Sequence, residues 1–213
     1  LPRKPAAESV SRDEIIQAAA DVLKHRGFEA TTMKDIAAAV NLTAASLYHH
    51  FENKNALLIA VLEGGMDYAI EKMDPIATAD APSSEKLRQM IDMHVVSLTE
   101  HTAVGAAMVF EVGSLLGVRP PSEEASGRFD DTFLDRRQLF FDRRDTFERY
   151  FRTVIQEGID AGEFRQVDVP IFAKTMLGAH NWVSVWYRPG GRLDGPAIAA
   201  TMADTFLRAL APN

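Results

Sequence analysis

Apolar residues recur at helical spacing along almost the whole chain, and no stretch alternates apolar with polar positions for long enough to read as a strand. Ile15, Ala19, Val22 and Leu23 mark the inner stripe of a first helix, which "HRG" ends with basic residues and Gly27 at the C-cap. Thr32 is placed to cap a second helix with Ile36, Ala37 and Val40 inward, and Thr43 to cap a third running to Phe51. Asn41 stands between them, where the chain must turn and where Asn tolerates the left-handed conformation. Asn53 caps a fourth helix expected to run from Lys54 to Met73, with the following "DP" as its stop. Ser83 or Ser84 opens a fifth to about His101, and a further apolar stretch reaches Leu116. After the loop-like "GVRPPSEEASGR" comes a long helix from about residue 130 to Ala161, with Phe140, Phe147, Phe151 and Val154 on one stripe and Gly162 at its end. Asp168 and Asp194 are expected to cap the last two helices, on either side of "RPGG". The fold class is all-α, with about nine helices and no internal repeat.

Residues 31–58, "TTMKDIAAAVNLTAASLYHHFENKNALL", carry the strongest functional signal. Two short helices joined by about four residues are a helix-turn-helix candidate. Ala37 is small where the helices must approach, and Leu42 and Leu47 supply the apolar plug. Ala44, Ala45 and Ser46 leave the start of the second helix with short side chains, able to enter a major groove without clashing. Thr43, Ser46, Tyr48 and His49 can hydrogen-bond phosphates or base edges, and Lys54 favours a nearby phosphate. A plain helical hairpin is the competing reading, although such a hairpin more often carries Glu and Lys where this chain has Tyr48-His49-His50.

As a sum, the net charge of −7 over 213 residues opposes a nucleic-acid partner, but its distribution matters more than its sum. Residues 1–55 hold seven Lys/Arg and seven Asp/Glu, so the remaining 16 basic and 23 acidic residues supply the whole −7. The N-terminal quarter is the least acidic part. The absence of cysteine excludes disulfides and thiolate metal sites and fits a cytoplasmic address. No apolar run is long enough to span a membrane, and no secretory leader is apparent. Phosphate-binding glycine loops, a nucleophile elbow and zinc-helix motifs such as HExxH are lacking, so no enzyme, metal or cofactor is expected.

Over about residues 11–60 the chain resembles the TetR family of one-component transcriptional regulators. The resemblance is carried by Gly27-Phe28, Thr31-Thr32, Ile36-Ala37, Leu47-Tyr48, Phe51, Lys54 and Leu57, all in the family's spacing. Asn41 departs from it, since glycine is commoner there. The resemblance implies a DNA-binding unit over residues 1–55 and an effector-binding, dimerising unit over 56–213. It implies that Tyr48 and Lys54 hold the DNA backbone, while Ala45, Ser46 and His49 lie nearest the bases; Thr32 and Thr43 are further DNA-binding candidates. Short, uncharged side chains there offer no arginine fork to guanine, so modest base readout supported by DNA shape is expected.

The resemblance also implies a homodimer through the last two helices on a palindromic operator, with a small-molecule effector enclosed in the larger unit. Gly178, Ala179, Ala199, Ala200 and Ala203 would permit close helix approach, and an ordinary intrachain core is the alternative. Leu87, Ile91, His94, Leu98 and His101 share one face of the fifth helix. Candidate pocket residues are Met66, Met90, His94, Met108, Phe110, Phe147, Phe151, Asn181 and Trp182, although methionines and a histidine at helical spacing also suit a plain core. "YFRTVIQEGIDAGEF" and "MLGAHNWVSVWYRPGGRL" resemble TetR-type repressors of fatty-acid and related lipid catabolism, which implies an acyl-CoA effector. Arg136, Arg137, Arg143, Arg144, Arg149 and Arg152 could meet the CoA phosphates, or simply form a salt-bridged helix face with Asp135, Asp142, Asp145 and Glu148. A drug-responsive efflux regulator and a helical lipid- or CoA-binding module that never touches DNA remain as alternatives.

Overall fold

The computed structural model describes residues 10–116 and 131–212, and among them the chain forms ten helices and no strand. The loop-like "GVRPPSEEASGR" lies outside the described residues. Helix boundaries follow from side chains that satisfy the otherwise orphaned first-turn N–H groups. Ser11 opens α1 (Arg12–Ala30) reciprocally: its Oγ accepts from the Glu14 N–H at 3.1 Å, while its own N–H donates to the Glu14 carboxylate at 2.6 Å. Gly27, at φ 74°, breaks the helical path where "HRG" was expected to end the helix, but α1 resumes beyond this kink and runs to Ala30. Thr32 and Asp35 form a second reciprocal cap on α2 (Met33–Ala39). Asn41 takes φ 55° in the turn, and Thr43 caps the short α3 (Ala44–Tyr48), which ends before the expected Phe51.

Asn53 caps α4 (Lys54–Ala77), which does not stop at "DP" but runs on through Pro75. Pro75 removes only the donor for the Glu71 carbonyl in an exposed final turn, a loss that water can make good. The turn is closed instead by Thr78, whose N–H and Oγ1 both donate to the Asp74 carbonyl. Neither serine side chain caps α5 (Ser83–Glu100). The Glu163 carboxylate, distant in sequence, accepts from the Ser83 and Ser84 N–H groups, each at 2.9 Å. The apolar stretch after it divides into α6 (Thr102–Phe110) and α7 (Val112–Leu116). α8 (Asp131–Asp160) carries the predicted Phe140, Phe147, Phe151 and Val154 stripe, all buried, and Gly162 beyond it has φ 75°. Asp168 and Asp194 cap α9 (Val169–Trp186) and α10 (Gly195–Leu210).

α4 passes without interruption from the helix-turn-helix unit into the larger body, where it packs on α8 and α5. α10 lies along α5, and α6 is held between α1 and α9. Gly65 sets the approach of α4 to α6, because a Cβ there would come within 2.5 Å of Val104 Cγ1 and 3.1 Å of Met108 Cε. Its neighbour Gly64 has open space at the same point. Gly65→Ala is therefore expected to destabilise by about 1–3 kcal/mol through overpacking, whereas Gly64→Ala stabilises by about 0.5–1 kcal/mol through helix propensity alone. Urea unfolding of the two variants measures the contrast, and equal midpoints would contradict it. No helix among the described residues is long and apolar enough to cross a membrane.

Candidate nucleic-acid interface and effector cavity

The helix-turn-helix is anchored from below. Ile36, Ala37 and Leu47 are buried, with Leu47 wholly enclosed, so α3 is fixed against α2 and presents its other face outward. Thr43 Oγ1 and Ser46 Oγ are paired at 2.8 Å. Ala45, His49 and His50 are exposed, and Tyr48 is 52% exposed despite its large apolar ring. An aromatic of that size left in water at the end of a short helix adds nothing to the core, which favours an external partner. Thr32 stands exposed at the start of α2, where its N–H and hydroxyl bond Asp35 and hold that carboxylate below the usual range. Arg26 pairs with the same carboxylate at 2.7 Å.

Lys54, expected to favour a phosphate, also has a partner within the chain. Its ammonium donates to the Phe28 carbonyl at 2.6 Å and lies 4.1 Å from the Phe28 ring centroid. It thus fastens the start of α4 to the end of α1, with the cation over the ring's negative face.

Between α1, α4, α5, α6, α8 and α9 lies a cavity of about 590 Å³, within the range of small-molecule sites. Of the candidate pocket residues, Met66, His94, Met108, Phe147 and Asn181 line it. Met90 and Phe151 are fully buried core residues outside its lining, because their positions on α5 and α8 turn them into the packed interior. Phe110 and Trp182 face outward and meet each other edge to face at 6.1 Å. His101, on the same α5 stripe as His94, also reaches the cavity and lies edge-on to Tyr68. Asp13, Ile16 and Gln17 of α1 complete the wall, a contribution that periodicity within α1 gives no means of finding. α1 is tied to the effector side twice more: Lys24 Nζ donates to Thr102 Oγ1 at 2.8 Å, and the Phe28 N–H donates to the buried Glu111 carboxylate at 3.1 Å.

The six arginines divide. Arg136 pairs with Glu63 and Arg143 with Asp67 at 2.6 Å, both carboxylates on α4 rather than on α8 itself, and only Arg152, 3.7 Å from Glu148, makes a pair within the helix as the plain helix-face reading expects. Arg137 donates to the Leu115 carbonyl at 3.4 Å, and Arg149 is exposed. Only Arg144 of the six lines the cavity, and it is joined there by Lys174, which is held by Glu148 at 2.7 Å. The cavity is thus apolar along Val61, Met66, Leu98, Val104 and Leu177, with the cations Arg144 and Lys174 and the carboxylates Asp13 and Glu148 among its more exposed lining.

His94 faces a second histidine, His180 on α9, with their Nδ1 atoms 3.4 Å apart. His180 sits on the buried face of α9 with Met176, Leu177, Val183 and Ser184, so helical spacing places it inward but not opposite His94. Burial pushes the His94 imidazole down to about 4, and burial with the His94 charge second holds His180 well below its usual value. Both are neutral at pH 7. The unfolded chain takes up protons near pH 6.5 that the native pair refuses, so stability is complete above about 6.5 and falls as pH drops toward 4. The slope is up to about 1.4 kcal/mol per pH unit per histidine. His180→Phe should flatten it, as read by urea unfolding at several pH values; an unchanged slope would contradict the burial argument. No group of three or more ligating side chains able to hold a metal ion occurs among the described residues.

Residues 15–61 match the model of the bacterial regulatory proteins of the tetR family, and residues 133–210 match a tetracyclin repressor-like C-terminal domain. The chain is 30% identical over 209 residues, covering 97% of itself and 94% of the relative, to the HTH-type transcriptional repressor KstR2 of Rhodococcus jostii. The structure of the ketosteroid transcriptional regulator KstR2 of Mycobacterium tuberculosis shares the fold with a TM-score of 0.80 at 24% identity, covering 99% of this chain and 100% of that one. AibR in complex with isovaleryl coenzyme A and operator DNA superposes with a TM-score of 0.71 at 26% identity, covering 94% of this chain and 98% of that one. With a helix-turn-helix and an effector-domain match on one chain, and a full-length relative at this identity, the protein belongs to the TetR family of bacterial transcriptional regulators.

Proposed function

We propose that the protein is a cytoplasmic repressor that binds a palindromic DNA operator as a homodimer and is released by an acyl-CoA thioester. In this reading residues 1–55 bind DNA, while residues 56–213 hold the effector and the dimer contact. Thr32, Thr43 and Tyr48 meet phosphates, and Ala45, Ser46 and His49 lie against the bases. Lys54, committed to the Phe28 carbonyl, sets the angle between α1 and α4 and offers its remaining donors to a phosphate.

The observation that carries the effector reading is the cavity itself: an apolar interior with Arg144 and Lys174 at the exposed part suits an acyl chain joined to an anionic head. The isovaleryl coenzyme A complex of AibR supports the same ligand class. The dimer reading draws on α9, whose exposed face carries Ile171, Gly178, Ala179, Trp182 and Trp186, an apolar stripe with small residues at its centre. Ala199 and Ala203 of α10, in contrast, are buried within the chain, where α10 packs on α5. Because α1 and α4 both wall the cavity and both belong to or adjoin the DNA-binding unit, an effector that prefers one arrangement of them shifts the dimer away from DNA by its differential affinity.

The test is fluorescence anisotropy on the DNA upstream of the protein's own gene, at two salt concentrations, with and without acyl-CoA thioesters of graded chain length. Tight, salt-sensitive binding that a thioester reverses supports the proposal. Binding that hydrophobic cations reverse and acyl-CoA does not would replace it with the drug-responsive reading.

A further inference from the structure

The polar groups that line the cavity are not equivalent. Asp13, Gln17, Tyr68, His101, Arg144 and Lys174 are exposed, and Ser97, Glu148 and Asn181 are half-buried. His94 is the one polar lining residue that is buried, at 7% exposure. Its surroundings are aromatic: the Phe147 ring lies edge to face at 4.9 Å and the Phe151 ring at 6.2 Å. Nδ1 is engaged with His180 at 3.4 Å, which leaves His94 Nε2 for a group outside the pair, while the Nε2 of His180 is sealed in the interior without a hydrogen bond. Of the two histidines only His94 lines the cavity, so its remaining ring nitrogen is the polar atom of the pair that a bound molecule can reach.

We propose that His94, oriented by His180, is the group with which the cavity recognises an uncharged oxygen, a hydroxyl or ketone, on the buried portion of its effector. The inference rests on the reading of the cavity as the effector site. One neutral imidazole of the pair donates to the other, and each arrangement leaves His94 Nε2 with one hydrogen-bonding role: acceptor if His94 donates through Nδ1, donor if His180 does. A hydroxyl satisfies both roles; a ketone satisfies only the second. A carboxylate is disfavoured, because the nearest rings are apolar and no cation is buried beside His94. The cationic Arg144 and Lys174 stand at the exposed part, so the effector is polar at both ends, charged outside and neutral within.

The experiment compares, by calorimetry, decanoyl-CoA with decanoyl-CoA carrying one hydroxyl at each position along the outer half of the chain, and with its terminal carboxylate. At least one hydroxylated thioester is expected to bind about ten-fold tighter than the parent, equivalent to ~1.4 kcal/mol, and the carboxylate weaker than both. His94→Phe should erase the preference while keeping affinity for the parent, and His94→Gln, which is neutral and hydrogen-bonding, should keep part of it. If His94→Phe fails to fold by circular dichroism, His94→Gln and His180→Phe decide. His180→Phe should shift the His94 imidazole nitrogen resonances and weaken the preference, and His180→Gln should restore both in part. A preference that survives in His94→Phe, or no hydroxyl preference at any position, overturns the proposal. If no thioester binds, the acyl-CoA reading fails by itself, and octan-2-ol with imidazole nitrogen NMR decides the His94 role. Movement of the His94 resonances upholds it. Movement of the Met66 and Met108 methyls without His94, or no binding at all, overturns it.

Discussion

Ala45→Glu is expected to lower operator affinity at least about 100-fold, a cost of ~2.7 kcal/mol, while leaving thermal stability and effector binding as they are. Ala45 is exposed on α3 and makes no contribution to the core, so the larger side chain meets no protein atom that must yield. Its carboxylate would instead face DNA phosphates at the groove, where like-charge juxtaposition costs several kcal/mol. Ala45→Lys is the paired control, since the same bulk with the opposite sign should raise non-specific affinity and steepen the salt dependence. Anisotropy titrations and melting curves on the three proteins read the outcome. Full affinity in Ala45→Glu would mean that α3 is not the element that enters the groove, and the 43–54 surface would lose its assigned role.

The largest stability effect is expected at Phe151. It is fully buried and touches His94, Phe147 and His180 with ring centroids 5.6–6.2 Å away. Phe151→Ala should destabilise by about 3–5 kcal/mol, the range for truncating a buried aromatic. The rigid helices around it collapse little into the space. Some of that loss returns if an added apolar ligand fills the enlarged interior, because binding to the native state alone stabilises it by mass action. Urea unfolding with and without such a ligand measures both parts. A loss below about 1 kcal/mol would show that α8 repacks freely against α5 and α9.

These expectations draw unequally on sequence and structure. Local chemistry was legible along the chain: Thr32, Thr43, Asn53, Asp168 and Asp194 all cap helices, and Asn41 holds the positive φ of the turn. The helix-turn-helix was legible for the same reason, since its plug, cap and turn lie within a few residues of one another. Pro75 misled because a proline near a helix end costs one hydrogen bond rather than the helix. The cap of α5 was invisible, since Glu163 reaches it across some 80 residues of chain. The intrachain bond of Lys54 was not legible, because its partner is a backbone carbonyl on α1 rather than a charge of opposite sign. The cavity was half legible. Periodicity finds the inward face of one helix but not which face meets it, so His94 stood out while His180, Asp13, Ile16 and Gln17 did not. Phe110 and Trp182 were assigned inward on hydrophobicity alone and lie outside, on the surface continuous with the proposed dimer face.

Selection of binding sites from a random-sequence duplex pool, with the full chain as bait, tests the central claim most directly. A dimer presenting two copies of α3 by two-fold symmetry predicts enrichment of inverted repeats whose half-site centres lie about one helical turn of DNA, or a multiple, apart. Enrichment should vanish with Ala45→Glu in the same experiment. Recovery of no enriched sequence, or of unpaired half-sites that bind one protomer each, would contradict the account of a dimeric operator-binding repressor.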